Sequence, residues 1–145
     1  MTILDIIYAY GHENVIGTHD TTIEITKNSN LTKRGNCIIA VRSSKACNDL
    51  TIELKNKIKK EKKFKIILKV NDLEDHFYGF GNKALRLLDK NDIVFRKSNF
   101  ICDRTVLINC TKSSNEIDRF LLKKLKTPGT KLSITFEVEN ELNGK

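Results

Sequence analysis

Hydrophobic and polar residues alternate over eight short stretches of the chain. Side chains on a β-strand point alternately to its two faces, so this alternation predicts strands with one buried face. The predicted strands cover residues 3–10, 21–27, 36–42, 64–70, 74–80, 92–96, 104–110 and 132–138.

Two further stretches have hydrophobic residues at helical spacing, and each predicts one amphipathic helix. These residues are Leu50, Leu54 and Ile58 in the first stretch and Ile117, Phe120, Leu121 and Leu125 in the second. We expect the first helix to start near residue 48 or 49. The second is expected to begin at the capping box of Ser113 and Glu116 and to end at Pro128-Gly129.

The two halves of the chain repeat one pattern. At a shift of 70 residues, 5–11 lies over 75–81 and 23–27 over 93–97. We therefore predict a tandem duplication, with repeats 3–70 and 73–138 sharing one core in a single domain of residues 1–145. The predicted fold class is α+β, mainly β: a mixed-sheet pseudo-barrel covered by two helices.

Composition places the chain among ordinary globular proteins, with 39% hydrophobic and 30% charged residues in a total of 145. No apolar run approaches the roughly 20 residues of a membrane span, and the first residues lack a signal-peptide pattern. We expect a cytoplasmic protein without a membrane partner. The four cysteines, at 37, 47, 102 and 110, form no C-x-x-C pair, so their spacing indicates reduced thiols.

The chain is basic, with 26 Lys and Arg against 18 Asp and Glu. Residues 49–65 alone contain seven lysines and three acidic residues. Such an excess is typical of proteins that bind an anionic partner, and RNA or another phosphate-bearing ligand is the prediction. The alternative is a compositional preference for lysine that serves no binding.

The first half is richer in chemically capable side chains than the second. His12, His19 and Glu24 are candidates for catalysis or for a divalent metal site, because two imidazoles and a carboxylate suit both. Asn14, Thr21 and Thr22 are candidate ligand-binding neighbours. The alternative is that both histidines bond to backbone in turns, while Thr22, Glu24 and Thr26 form a solvated strand face.

A second group of residues suits a phosphate, because guanidinium forks, hydroxyls and an open glycine backbone combine in it. Its members are Arg34, Gly35, Arg96, Ser98, Arg104 and Thr105. In the internal alignment, Arg34 falls opposite Asp103 and Gly35 opposite Arg104, which puts both sets at equivalent corners. The alternative is structural, with Arg104 paired to Asp103 or Asp118.

Aromatic residues alternate along two strands, at Tyr8, Tyr10, Phe77, Tyr78 and Phe80. A strand-borne aromatic pattern is more typical of packing than of base stacking. We interpret these five residues as core or sheet-face aromatics.

Four ordered segments resemble the pattern of a small archaeal family, domain of unknown function 371. They are Gly11-His12-Glu13-Asn14-Val15; Thr18-His19-Asp20-Thr21-Thr22-Ile23-Glu24-Ile25-Thr26; Leu31-Thr32-Lys33-Arg34-Gly35-Asn36-Cys37-Ile38-Ile39; and Arg96-Lys97-Ser98 with Arg104-Thr105. The resemblance implies a single-domain pseudo-barrel from an archaeal, cytosolic protein and implies no activity. The chain departs from the pattern at Asn36, Ser43-Ser44 and Cys110-Thr111, where the family has carboxylates.

Three functions therefore compete. The first is a binding module for RNA or another phosphate-bearing ligand. The second is a small enzyme or metal-binding protein that uses His12, His19 and Glu24. The third is a structural domain that forms homodimers through an exposed sheet edge.

Overall fold

A computed structural model describes residues 1–139, and it has the predicted eight strands and two helices. The strands are β1 (Thr2–Tyr10), β2 (Thr22–Thr26), β3 (Ile38–Ala40), β4 (Lys63–Val70), β5 (Leu73–Phe80), β6 (Asp92–Arg96), β7 (Thr105–Leu107) and β8 (Lys131–Val138). The helices are α1 (Ile52–Lys59) and α2 (Arg119–Leu125). The α+β, mainly β class is confirmed, and the last six residues of the predicted domain lie outside the described part.

The strands form two four-stranded sheets. The first sheet has the order β1-β8-β4-β5 and is antiparallel throughout, whereas the second has the order β3-β2-β6-β7 and is mixed. Isolated bridges join their edges, Tyr10 to Val41 on one side and Phe80 to Ile108 on the other. The predicted mixed-sheet pseudo-barrel thus consists of two sheets, which these bridges connect at their edges.

One hydrophobic core lies between the two sheets and draws on both halves of the chain. Phe77 packs edge-on against Phe95 with ring centroids 5.2 Å apart, and Phe95 lies 5.8 Å from Phe136. All three rings are fully buried, and β5, β6 and β8 supply one each. These three rings all belong to the second half, but β8 pairs with β1 and β4, and β6 pairs with β2, so the two halves share one core.

Each helix begins later than its sequence pattern predicted. The capping box of Ser113 and Glu116 is present, but it closes a short 3-10 turn at Ser114–Glu116. Helix α2 is instead capped by Asp118, whose carboxylate accepts from the N–H groups of Phe120 and Leu121. Helix α1 follows a matching turn at Cys47–Asp49 and is capped by Thr51.

The helices lie at opposite ends of the first sheet. The Thr51 hydroxyl, at the start of α1, donates to the carbonyl of Leu4. Near the end of α1, the Ile58 carbonyl lies so close to Gly81 that a Cβ there would collide with it. Residues 4 and 81 are at the same end of this antiparallel sheet. Helix α2 lies at the other end, where the carbonyl of its last residue, Leu125, accepts from the His12 N–H, so neither helix covers the broad outer side of the sheet.

A repeated ion pair fixes each helix to the first sheet. Asp5 bonds to Lys45 at 2.8 Å and accepts from the Thr51 N–H, and Asp75 bonds to Lys112 at 2.6 Å and accepts from the Asp118 N–H. Because both halves contain this arrangement, we assign it to the fold. Among the described residues no helix is long and apolar enough to cross a membrane.

Candidate nucleic-acid interface

His19 is a turn residue that bonds to backbone. Its Nδ1 accepts from the N–H groups of Thr21 and Thr22, both at 3.2 Å. In the second half the carboxylate of Asp89 accepts from the corresponding N–H groups of Asn91 and Asp92. The position therefore requires a hydrogen-bond acceptor for the turn, whichever residue type supplies it.

His12 has the same kind of role. Its Nδ1 accepts from the Asn14 N–H at 3.0 Å, as the side chain of Asn82 accepts from the Ala84 N–H in the second half. The side-chain amide of Asn14 donates to the Leu31 carbonyl and so holds the following loop. These contacts are structural.

His12, His19 and Glu24 are not brought together as a metal site. Within residues 1–139 no three His, Cys, Asp or Glu side chains are grouped so as to hold a metal ion. A catalytic role for the three residues stays a prediction from sequence.

Glu24 lies on a strand face that loops cover. The predicted solvated face of Thr22, Glu24 and Thr26 is wrong, because each of these residues is at most 8% exposed. Burial and, to a lesser extent, the nearby carboxylate of Asp92 raise the pKa of Glu24 to about 7, against the opposing charge of Arg104. Glu24 accepts no side-chain hydrogen bond from the described residues, and its Oε1 lies 3.8 Å from Arg104 Nη1.

Arg96 and Arg104 are largely occupied by contacts within the chain. Arg104 pairs with Glu24 and Asp92, and not with the predicted Asp103 or Asp118. Arg96 donates to the hydroxyl of buried Thr105 at 2.8 Å, and its guanidinium lies over the Phe100 ring. These contacts leave the two arginines less available to a phosphate than their sequence positions predicted.

The other members of the predicted phosphate group are spread apart. Arg34 is exposed and has no ion pair with a described residue, and the Ser98 hydroxyl accepts from the Phe100 N–H. Ile38 pairs with Glu24 in the first half, and Thr105 pairs with Val94 in the second. Because Glu24 and Val94 are equivalent positions, Ile38 and Thr105 are equivalent too. By the same register Arg34 corresponds to residue 101, and the alignment that placed Gly35 opposite Arg104 is wrong by two residues.

The first sheet has a broad side that points away from the core, and we call its side chains the outer face. Strand register brings them into rows across all four strands. The outer face consists of Ile6, Tyr8, Tyr10, Lys63, Lys65, Ile67, Lys69, Glu74, His76, Tyr78, Phe80, Lys131, Ser133, Thr135 and Glu137. All of these residues are at least partly exposed, and Phe77 alone of the five sequence-predicted aromatics points into the core.

Tyrosines and basic residues alternate on the outer face. The Nζ of Lys131 lies 4.1 Å from the ring centroid of Tyr8, and that of Lys63 lies 4.7 Å from the ring of Tyr78. The two pairs occupy equivalent positions in the two halves. Beside the first pair, the guanidinium of Arg42 lies 4.9 Å from the Tyr10 ring, which extends the alternation to the edge of the sheet.

Tyr8 and Tyr78 each border a shallow cleft. The cleft at Tyr8 has a volume of about 270 Å³ and is lined by Lys69, Asn71, Lys131 and Ser133. The cleft at Tyr78 has about 240 Å³ and includes Lys63, Lys65 and Glu139. Within residues 1–139 the first cleft therefore combines an aromatic ring, two ammonium groups and two neutral polar side chains, without a carboxylate.

Comparison with known proteins identifies relatives. Residues 7–139 match the family described as "Domain of unknown function (DUF371)". The chain belongs to this family. An uncharacterised protein of the archaeon Methanocaldococcus jannaschii is 46% identical over 121 residues, which cover 83% of this chain and 90% of that protein. The family resemblance noted in the sequence is thus confirmed, and the family description assigns no activity.

Proposed function

We propose that this protein is a binding module for a phosphate-bearing ligand, and that single-stranded RNA on the outer face fits it best. The supporting observation is the pair of tyrosines, Tyr8 and Tyr78, each with a lysine ammonium over its ring, on an antiparallel sheet face that none of residues 1–139 covers. Aromatic rings stack on bases of any sequence, and neighbouring cations bind the phosphates between them.

Charge on the outer face favours this ligand. Lys63, Lys65, Lys69 and Lys131 reach into it, while its acidic residues are Glu74 and Glu137. Much of the lysine excess of segment 49–65 lies elsewhere, on α1 and the turn after it. We therefore assign binding to the sheet and treat the helix lysines as peripheral.

A neighbouring polar set makes the Tyr8 cleft the stronger of the two. Ser133 and Asn71 offer hydrogen-bonding groups beside the ring. In the strand register Ser133 lies between Tyr8 and Lys69, and Lys131 is on the same strand, two residues before Ser133. A nucleotide stacked on Tyr8 would thus find partners for its sugar, base edge and phosphates. Single strands suit such a surface, because their bases are free to leave a helical stack.

The test is a titration of labelled single-stranded RNA at several salt concentrations. Lys69→Ala/Lys131→Ala should weaken binding and reduce the slope of log affinity against log salt by about 1.4, the value for two lost phosphate contacts. Lys83→Ala/Lys90→Ala is the matched control, since it removes the same charge from exposed loop positions. Equal losses in both variants would reduce the proposal to unspecific charge attraction and overturn it.

A further inference from the structure

A larger groove lies where α2 passes the turn between β4 and β5. Its volume is about 720 Å³. The lining residues are Val70, Asn71, Asp72, Leu73, Phe120, Lys123, Lys124 and Thr127.

The groove combines an exposed aromatic ring with free positive charge. Phe120 is 73% exposed, although it belongs to a helix with three buried leucines. One turn later, the exposed side chains of Lys123 and Lys124 have no ion pair or hydrogen bond with residues 1–139. An unpaired ring beside unpaired ammonium groups is the combination that stacks a base and holds its phosphates.

The fold itself does not require this combination. Thr51 and Asp118 cap the two helices at equivalent positions, so Phe120 corresponds to Glu53 in α1. By the same count, Lys123 corresponds to Asn56. The cleft beside Glu53, with a volume of about 200 Å³ among the described residues, is much smaller. The aromatic ring and Lys123 therefore belong to one half only, whereas Lys124 corresponds to Lys57.

The groove continues from the outer face. Asn71 lines both this groove and the Tyr8 cleft, so the two surfaces meet at the turn between β4 and β5. An RNA strand that runs from Tyr8 past Lys69 would reach Asn71 and then α2, and all of these residues are exposed.

We propose that the groove is a second subsite for the same single-stranded RNA, with one base stacked on Phe120 and the adjoining phosphates bound by Lys123 and Lys124. This inference rests on the proposed function of the outer face. It extends that function by giving the RNA a direction, from the Tyr8 cleft around the β4–β5 turn to α2. It also sets a minimum length, because a short oligonucleotide does not occupy both subsites.

The experiment compares oligouridine RNAs of about 4 and about 12 nucleotides, lengths within the range that single-strand binding domains cover. Phe120→Ala should weaken binding of the longer RNA about tenfold, the effect of one lost base stack, and leave the shorter one unchanged. Phe120→Tyr, which keeps the ring, should restore the affinity. Ile52→Ala on α1, which removes an exposed apolar side chain without a change of charge, is the matched control and should alter neither affinity. Thermal unfolding of each variant reports its folding.

The outcomes separate the two proposals. If both RNAs bind the unmodified protein and Phe120→Ala changes neither affinity, the groove is not a subsite and the outer face stands. Equal weakening of both lengths by Phe120→Ala also overturns the groove. If neither RNA binds the unmodified protein, the outer face and the groove fail together.

Discussion

Glu24 faces Val94 across the β2–β6 pair, at equivalent positions of the two halves. One half thus buries a carboxylate where the other buries an apolar side chain, and both residues are less than 10% exposed. Burial of a charge without a hydrogen-bond donor costs free energy. The fold does not need this carboxylate, so its presence has a measurable cost.

Glu24→Gln should stabilise the protein above pH 7. Because burial raises the pKa of Glu24 from 4.5 to about 7, the folded protein holds this proton more tightly than the unfolded chain. Between pH 4.5 and 7 the unfolded chain loses this proton while the folded protein keeps it. The free energy of unfolding therefore falls as the pH rises, by about 3 kcal/mol over this range. Urea unfolding at pH 5 and pH 8 measures the difference from the unmodified protein.

The control for this measurement is Glu74→Gln, which changes an exposed carboxylate on the outer face. It should alter stability by the same small amount at both pH values. A Glu24→Gln protein that is no more stable than the unmodified one at pH 8 would contradict the assigned pKa shift.

Asp75→Asn should destabilise the protein by about 1–3 kcal/mol, since a paired carboxylate becomes a neutral amide. Burial alone would raise the pKa of Asp75, but bonds from Lys112 and the Asp118 N–H lower it overall. The stabilisation is therefore present above the ordinary pKa of an aspartate and is lost as the pH falls through the lowered value. Denaturant unfolding at pH 7 measures it, and Asp72→Asn in the exposed turn should have little effect.

Cys102 should be the most reactive thiol near neutral pH. Burial raises its pKa, but bonds from Thr105, the Arg104 N–H and Arg96 lower it to about 7 overall. Cys47 and Cys110 are buried, and burial raises their pKa values well above the ordinary range. Timed alkylation with iodoacetamide, read by peptide mass spectrometry, should modify Cys102 first.

Arg96→Gln is the companion variant, because it removes a donor to the Cys102 sulfur. Alkylation of Cys102 at pH 7 should slow in this variant while that of Cys37 stays the same. Modification of Cys47 ahead of Cys102 would show that the buried thiols are accessible and would contradict the described packing.

Strand positions were predictable from sequence because alternation reports local geometry directly. The sequence pattern did not tell whether a strand face is covered, since that depends on where distant segments pack. The pattern indicated that Thr22 and Glu24 are solvated, but loops bury both residues. It indicated packing roles for Tyr8 and Tyr78, but both helices lie at the ends of the sheet, so these rings are at least partly exposed.

Helix starts and the histidine roles were harder to predict for a different reason. Ser113 and Glu116 do form their capping box, but a 3-10 turn uses it, and the true cap, Asp118, follows two residues later. His19 matched a ligand by residue type, although it performs the turn role of Asp89. A comparison of the backbone contacts in both halves is needed to distinguish a structural role in a turn from a catalytic or ligand-binding role.

Tyrosine fluorescence tests the central claim most directly, because the chain has three tyrosines and no tryptophan. Tyr8, Tyr10 and Tyr78 all belong to the outer face, so the intrinsic emission reports on this surface alone. Addition of single-stranded RNA should quench it saturably, and Tyr8→Phe/Tyr78→Phe should remove most of the signal change while RNA still binds. RNA binding with unchanged tyrosine emission, or no binding at low salt, would contradict the assignment of the outer face.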